Sequence, residues 1–283
     1  MEKPILLIPG ASATGRDYLL DKILEEQALR EVCRRLGRDN LNVKIVVKTT
    51  DRPGRPGVVE VTKKCISPEE FDQGLASGDI FAHYVLESNG SRYGYTANAF
   101  DVADADLLVA DASIYQVAQL KERFSGRVHV AAVIADRAFR KHNLLLRGSE
   151  NPEEVEKRLN VGDIHVALAV MMSGSGIDYR QFIDQRLAEL ISRLAELARQ
   201  EQAVESIEQE IETIIGSKNV CQLIKDLALR PKTVADDLVV RRQEELVDDD
   251  QPFIDSALFE QGVKMIQSAL NITDSVSSKE AVA

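Results

Sequence analysis

The first twenty residues, MEKPILLIPGASATGRDYLL, limit the fold more than any other stretch. Ile5-Leu6-Leu7-Ile8 is a continuous apolar run, the pattern of a short strand buried on both faces, and Pro9-Gly10 ends it. A loop of small residues follows, and a helical pattern opens near Arg16. Gly10 and Gly15 stand five apart and precede a cation, the frame of the phosphate-cradling loop G-x-x-x-x-G-K-[ST] with its last two positions changed. Gly10, Ala11, Ser12, Ala13, Thr14 and Gly15 are small enough for the backbone to curl with its N–H groups inward around a phosphate, beside the positive end of the following helix. Arg16 keeps the charge of the usual lysine on a longer, planar group, and Asp17 stands where a hydroxyl usually meets magnesium. Over these positions alone, an ordinary strand-to-helix turn rich in small residues would look the same.

The rest of the chain adds context. Its 283 residues, 44% of them hydrophobic, suffice for one large or two moderate domains. Charge is unevenly spread: from Asp178 onward there are 12 Lys and Arg against 21 Asp and Glu, while the first 177 residues carry 23 against 25. A net −11 argues against nonspecific binding to nucleic acid or anionic membranes, yet a local group of arginines can still hold phosphate. Cys33, Cys65 and Cys221 are scattered without a C-x-x-C pair, which suits a reducing compartment. With neither a leader pattern nor a membrane-length apolar run, a cytoplasmic protein is expected. His83, His129, His142 and His165 show no metal-ligand spacing.

In order along the chain, Arg16 to Leu36 reads as one helix ended by Gly37, and Val43 to Val47 as a second strand. Thr49 to Gly57, TTDRPGRPG, is a stiff turn presenting Arg52 and Arg55, either a solvated turn or an anion clamp of two planar forks. Ser67 to Ser77 has a serine cap, Pro68 at the first helical position and acids in the first turn. Asn89-Gly90 joins two β-rich segments as a hairpin. Asp106 to Asp111 and Val128 to Ala135 read as buried strands, with helices from Ser113 to Phe124 and Asp136 to Leu146. Strands alternating with helices predict a parallel sheet covered on both faces, with ligands at the carboxyl ends of the strands.

Four stretches together carry a resemblance: the loop Gly10 to Asp17, TTDRPGRPG, SRYGYT ending at Thr96, and RGSENPEEVEKR from Arg147 to Arg158. In this order they resemble the guanylate-kinase-like P-loop phosphotransferases, and within that group the ribose 1,5-bisphosphate phosphokinases, whose loop ends G-K-D-S-L-L where this one has G-R-D-Y-L-L. The resemblance covers roughly residues 1–177. It implies an α/β P-loop NTPase fold of the nucleoside-monophosphate-kinase type, a parallel sheet with helices on both faces. It also implies ATP and Mg2+ as cofactors, with Gly10 to Asp17 cradling the nucleotide and Asp17 near the metal. Arg52, Arg55 and Tyr93 would hold the phosphate of a small acceptor, Asp111 would lie beside the acceptor or the metal, and Arg16, Arg147 and Arg158 would act on the transferred phosphoryl group. The loop TTDRPGRPG is one residue longer than its guanylate kinase counterpart, so the register of its arginines departs from the pattern. The glutamate with which guanylate kinases read guanine falls here in Phe81-Ala82-His83-Tyr84, none of which is acidic, and Glu87 aligns with the family's second glutamate. A ribose phosphate is therefore the expected acceptor. The alternatives are GMP, or an impaired kinase-like protein that acts as an interaction module.

Residues 178–272 lie outside the resemblance and read as an all-α C-terminal extension. Asp178 to Ile215 carries apolar residues every seven positions, Ile183, Leu190, Leu197, Val204 and Ile211, which predicts a long helix with a coiled-coil or hairpin seam. Either the later helices, Asn219 to Leu229 and Pro252 to Leu270, cover that seam, or a second copy or a protein partner does. Residues 273–283 are expected to form a disordered tail.

Overall fold

The computed structural model describes residues 3–54, 62–86, 89–148, 151–173, 175–215, 219–229, 238–242 and 253–280, with backbone alone for 271–280. β1 (Ile5–Leu7) leads through the small-residue loop into α1 (Arg16–Ile23). The helix expected to run on to Leu36 is broken at Leu24-Glu25, where Glu25 takes an extended ψ of 142° and caps α2 (Glu26–Leu36). The bend lets Leu19, Leu20 and Ile23 of α1 and Ala28, Val32 and Cys33 of α2 enter one core, which a straight helix would not. β2 (Val43–Ile45), β3 (Lys48–Thr50) and β4 (Lys63–Cys65) follow, then α3 (Pro68–Ser77) with its capping box of Ser67 and Glu70. The Asn89-Gly90 hairpin joins β5 (Ile80–Val85) to β6 (Arg92–Thr96). β7 (Leu107–Ala110), α4 (Ile114–Arg123), β8 (Val128–Ala135), α5 (Arg137–Leu146) and α6 (Pro152–Ser173) complete the first half.

The core sheet is parallel in the order β2, β7, β1, β8, with a fifth strand, β9 (Leu238–Arg242), beside β8. β9 was not anticipated. The C-terminal region is mostly helical, as expected, but it is not all-α, because Leu238-Val239-Val240 pairs with the open edge of β8. A second sheet is ordered β4, β3, β6, β5, and its strands fall between β2 and β7 along the sequence.

Alternation along the strands sorts the core into two faces. Ile5 and Leu7 of β1, Leu108 and Ala110 of β7, and Val130, Ala132 and Ile134 of β8 share one cluster with α4 and α6. Leu6, Ile8, Leu107, Val109, Ala131 and Val133 share the other with α1, α2 and α10 (Ala257–Glu280). α10 continues through most of the stretch expected as a tail, residues 273–280 containing neither Gly nor Pro, and 281–283 lie outside the described residues.

α6 is buried nearly all round, so its outer face needs a cover. α7 (Gln185–Arg199), α8 (Glu205–Ile215) and α9 (Asn219–Leu229) provide it, and the cluster of the first face runs across the expected boundary at 177 to include Ile191, Ile211 and Ile224. The long helix expected over Asp178 to Ile215 is instead a hairpin. α7 ends at Glu201, whose φ is +53°, with Gln202 N–H donating to Leu197 O at 3.1 Å and Glu201 N–H to Ala198 O at 3.3 Å, a Schellman end without glycine. Arg186 near the start of α7 meets Glu210 of α8 at 2.5 Å, so the two helices run antiparallel. The coiled-coil seam is accordingly absent from α7, which buries Leu187, Ala188, Ile191, Leu194 and Ala195 at helical spacing, with Leu190 and Leu197 only partly covered. Of the two later helices, α9 folds back on α7, whereas α10 packs on the opposite face of the core sheet.

Candidate active site

The loop after β1 lies where the sheet pattern requires, at the carboxyl end of a central strand. Gly10 extends the pairing by bridging Val133, and a Cβ there would come within 2.5 Å of the Val133 carbonyl oxygen, so its glycine is demanded by packing. Ala13 and Gly15 both take left-handed conformations, φ 63° and 79°. Such a conformation costs a residue with a Cβ roughly 1–2 kcal/mol. Two bonds hold the curl: Thr14 Oγ1 donates to Ala11 O at 3.0 Å, and Asn143 Nδ2 of α5 donates to Ala13 O at 3.0 Å.

Ala11 through Asp17 line a cavity of about 950 Å3. Arg52, Tyr93, Asp111, Arg147 and Arg158 line it too, so the small-residue loop, the turn TTDRPGRPG, the hairpin and the stretch from Arg147 to Arg158 converge. Gly10 sits behind the wall as a packing residue, and Arg55 and Glu87 lie outside the described residues. Among the lining residues not expected from the sequence are Lys48, Lys63, Tyr84 and Arg242. Of these, Lys48 had a signal, a lysine directly before TTDR and directly after Val46-Val47, whereas Arg242 had none because its strand went unrecognised.

Asp111, at the end of β7, organises the floor of the cavity. Arg16 does not extend along the loop: its Nη1 forms an ion pair with Asp111 Oδ1 at 2.7 Å and donates to Ala112 O at 3.0 Å and Ile8 O at 3.3 Å. From β3, Lys48 Nζ donates to Asp111 Oδ2 at 2.5 Å and to its carbonyl at 2.7 Å, and Tyr95 hydroxyl donates to that carbonyl at 3.0 Å. Burial alone would raise the Asp111 carboxyl, but Arg16 and Lys48 on either side hold it well below the ordinary carboxylate range. Both oxygens of Asp111 are thus engaged by cations. Above this group, Tyr93 stacks on Tyr84 with centroids 5.2 Å apart, and Lys48 Nζ lies 5.6 Å from the Tyr93 ring centre.

The side of the cavity formed by α5 and α6 is fixed by a buried ion network. Arg140, fully buried, pairs with the equally buried Asp163 of α6, which also receives Arg137 at 2.5 Å and the Asp184 backbone N–H at 2.8 Å. Gly162 makes room, because a Cβ there would collide with the Arg140 guanidinium. Arg158 is buried in α6 and Arg147 is exposed at the end of α5, both on the cavity. No group of three potential metal-ligating side chains occurs among the described residues. Magnesium in kinase sites needs only one or two carboxylates plus phosphate oxygens and water, and the exposed carboxylate of Asp17 on the cavity suits that donor set.

A parallel sheet with a small-residue loop at the end of its central strand, a second small sheet and a cavity lined by cations make the chain similar to the guanylate-kinase-like P-loop phosphotransferases. Its relatives are kinases of that kind. The guanylate kinase of Symbiobacterium thermophilum is 25% identical over 158 residues, 55% of this chain and 68% of that protein. The ribose 1,5-bisphosphate phosphokinase of Pseudomonas paraeruginosa is 28% identical over 157 residues, 55% of this chain and 76% of that one. The crystal structure of guanylate kinase from Anaplasma phagocytophilum overlaps with a TM-score of 0.39 at 16% identity, covering 71% of this chain and 88% of that chain. No protein-family model matches the chain. Among the described residues, no helix is long and apolar enough to cross a membrane.

Proposed function

We propose that this protein transfers a phosphoryl group from magnesium-bound ATP to a small phosphorylated acceptor, a ribose phosphate. One observation carries the reading. In a chain of net charge −11, the cavity is lined by seven Lys and Arg residues, Arg16, Lys48, Arg52, Lys63, Arg147, Arg158 and Arg242, against two acids, Asp17 and Asp111. Cations concentrated in a partly enclosed site are worth far more toward polyanions than the same charges on an open surface. Phosphoryl transfer asks for this arrangement, since most of its catalysis is positioning and neutralisation of charge on the moving group.

Roles follow from position. Ala11 to Gly15 cradle the donor phosphates and Asp17 holds the magnesium, which supplies charge neutralisation across the phosphates. Arg52, Lys63 and Tyr93 hold the acceptor phosphate. Arg147 and Arg158 neutralise the charge that develops on the transferred group. The acceptor side, formed by Arg52, Lys63, Tyr84, Leu86 and Tyr93, offers cations and ring faces without a carboxylate among its described residues, which supports a sugar phosphate over guanine.

The test is release of ADP from magnesium-bound ATP with ribose 1,5-bisphosphate and with GMP as acceptors. A kcat/KM at least about tenfold higher for the sugar phosphate is expected, a ratio worth about 1.4 kcal/mol in the transition state. Preference for GMP would overturn the acceptor assignment. ATP binding without transfer to either would leave the interaction-module reading in its place. Arg158→Ala should lower kcat by on the order of a thousandfold with ATP affinity nearly unchanged.

A further inference from the structure

β9 carries two successive arginines to opposite sides of the sheet. Arg241 lies over the Phe182 ring at 4.5 Å and donates to Gln181 Oε1 at 3.1 Å, which fastens the strand to the segment after α6. Arg242 faces the other way, toward the phosphate loop. Its position is set by continuous pairing, Ala135↔Arg242 between β8 and β9 and Gly10↔Val133 between the loop and β8. The guanidinium carbon of Arg242 lies 5.4 Å from the Tyr18 ring centre and 5.6 Å from that of Phe139, so two rings from α1 and α5 hold the planar group. Its Nε and Nη2 atoms stand 3.2 Å from the point where a Cβ on Gly15 would be. Gly15 therefore serves twice, by taking a left-handed turn at φ 79° and by leaving room for this guanidinium against the loop.

The cation that the loop itself carries is placed otherwise. Arg16 Nη1 faces Asp111 and two backbone carbonyls, beneath the loop. We infer that Arg242 is a donor-binding residue, its guanidinium contacting the nucleotide phosphates nearest Gly15, so that the nucleotide site of this chain is completed by a strand from its C-terminal region. The inference rests on the phosphotransferase reading above. An arginine suits the position as a lysine would not: its planar, delocalised cation sits between the Tyr18 and Phe139 rings and at the same time lines the cavity beside the loop.

The experiment measures binding of ATP and of adenosine to the full chain and to full-length Arg242→Ala and Arg242→Lys. Expected are an ATP dissociation constant raised about tenfold or more in Arg242→Ala, adenosine affinity within about twofold, and partial recovery of ATP binding in Arg242→Lys. The ratio of the two affinities is the readout, because a variant that merely loosens the loop weakens both ligands together. Unchanged ATP affinity in Arg242→Ala, or equal losses for ATP and adenosine, overturns the inference while the phosphotransferase reading stands on the wild-type transfer assay. A wild-type chain that binds no ATP overturns both.

Discussion

Asp111 and Lys48, both buried, and the partly exposed Arg16 form a cation–anion–cation group on the floor of the cavity. Removing one member of such a group leaves the others desolvated without compensation, which costs about 3–5 kcal/mol. Asp111→Asn should therefore lower the melting temperature by on the order of 10 °C, and adding Lys48→Met should recover part of the loss. Equal melting temperatures for Asp111→Asn and wild type would mean that the group is solvated in solution. His165 supplies a second prediction at this scale. Burial first, then Arg16 and Arg140, hold its imidazole at about 3, far below the ordinary 6.5. The folded state keeps it neutral while the unfolded chain takes up a proton below 6.5, so stability falls as pH falls through this window. The slope is on the order of 1.4 kcal/mol per pH unit for one group. Melting followed from about pH 6.5 to about 5, above most carboxylate titrations, should show that slope, and His165→Gln should flatten it.

At the scale of elements, two helix ends show how the same device is written in different ways. α2 stops at Gly37, φ 64°, where Arg38 N–H donates to Cys33 O at 3.0 Å. α7 stops with the same bonding at Glu201, a residue that carries a Cβ into the left-handed region. The first stop is legible in sequence because glycine favours that backbone. The second is not, since glutamate is a good helix former and the heptad pattern runs straight through it. Glu201→Gly should stabilise the chain by about 1 kcal/mol, relief of left-handed strain less the entropy of glycine, measurable as a higher urea midpoint at unchanged slope. A lower midpoint would show that the Glu201 side chain contributes more than its backbone costs.

Across the whole molecule, the core sheet lies between α10 with α1 and α2 on one face and α4 with α6 on the other, and α7 to α9 add a layer outside α6. One continuous cluster then joins Ile5 of the first strand to Ile224 of α9, both fully buried. Packing of this kind predicts one cooperative transition, and Ile224→Asp, which places a carboxylate in that cluster, should destabilise the entire chain by about 3 kcal/mol or more. Near-ultraviolet dichroism reads the nucleotide-binding part, since five of the six tyrosines precede residue 178, while far-ultraviolet dichroism reads the helices throughout. Coincident melting by the two is expected, and separated transitions would show that the outer helices unfold on their own.

Local pattern was enough for the central strands, the phosphate loop, the capped helix at Pro68 and the hairpin at Asn89-Gly90, because each depends on residues adjacent in the chain: apolar runs, small residues, a serine cap, a glycine turn. The convergence of Arg16, Arg52, Tyr93, Asp111, Arg147 and Arg158 was legible only through the order of four motifs, and the structure places all six on one cavity. Tertiary structure alone decided where Arg16 points, because its partner Asp111 lies 95 positions away and competes with the phosphate loop for the same charge. It decided β9 as well. Leu238-Val239-Val240 is too short to declare itself a strand, and becomes one because the edge of β8 offers unpaired backbone groups. With that strand comes Arg242, a side chain more than two hundred residues from the loop it meets, and no local pattern can record a contact that only the closing of the sheet creates.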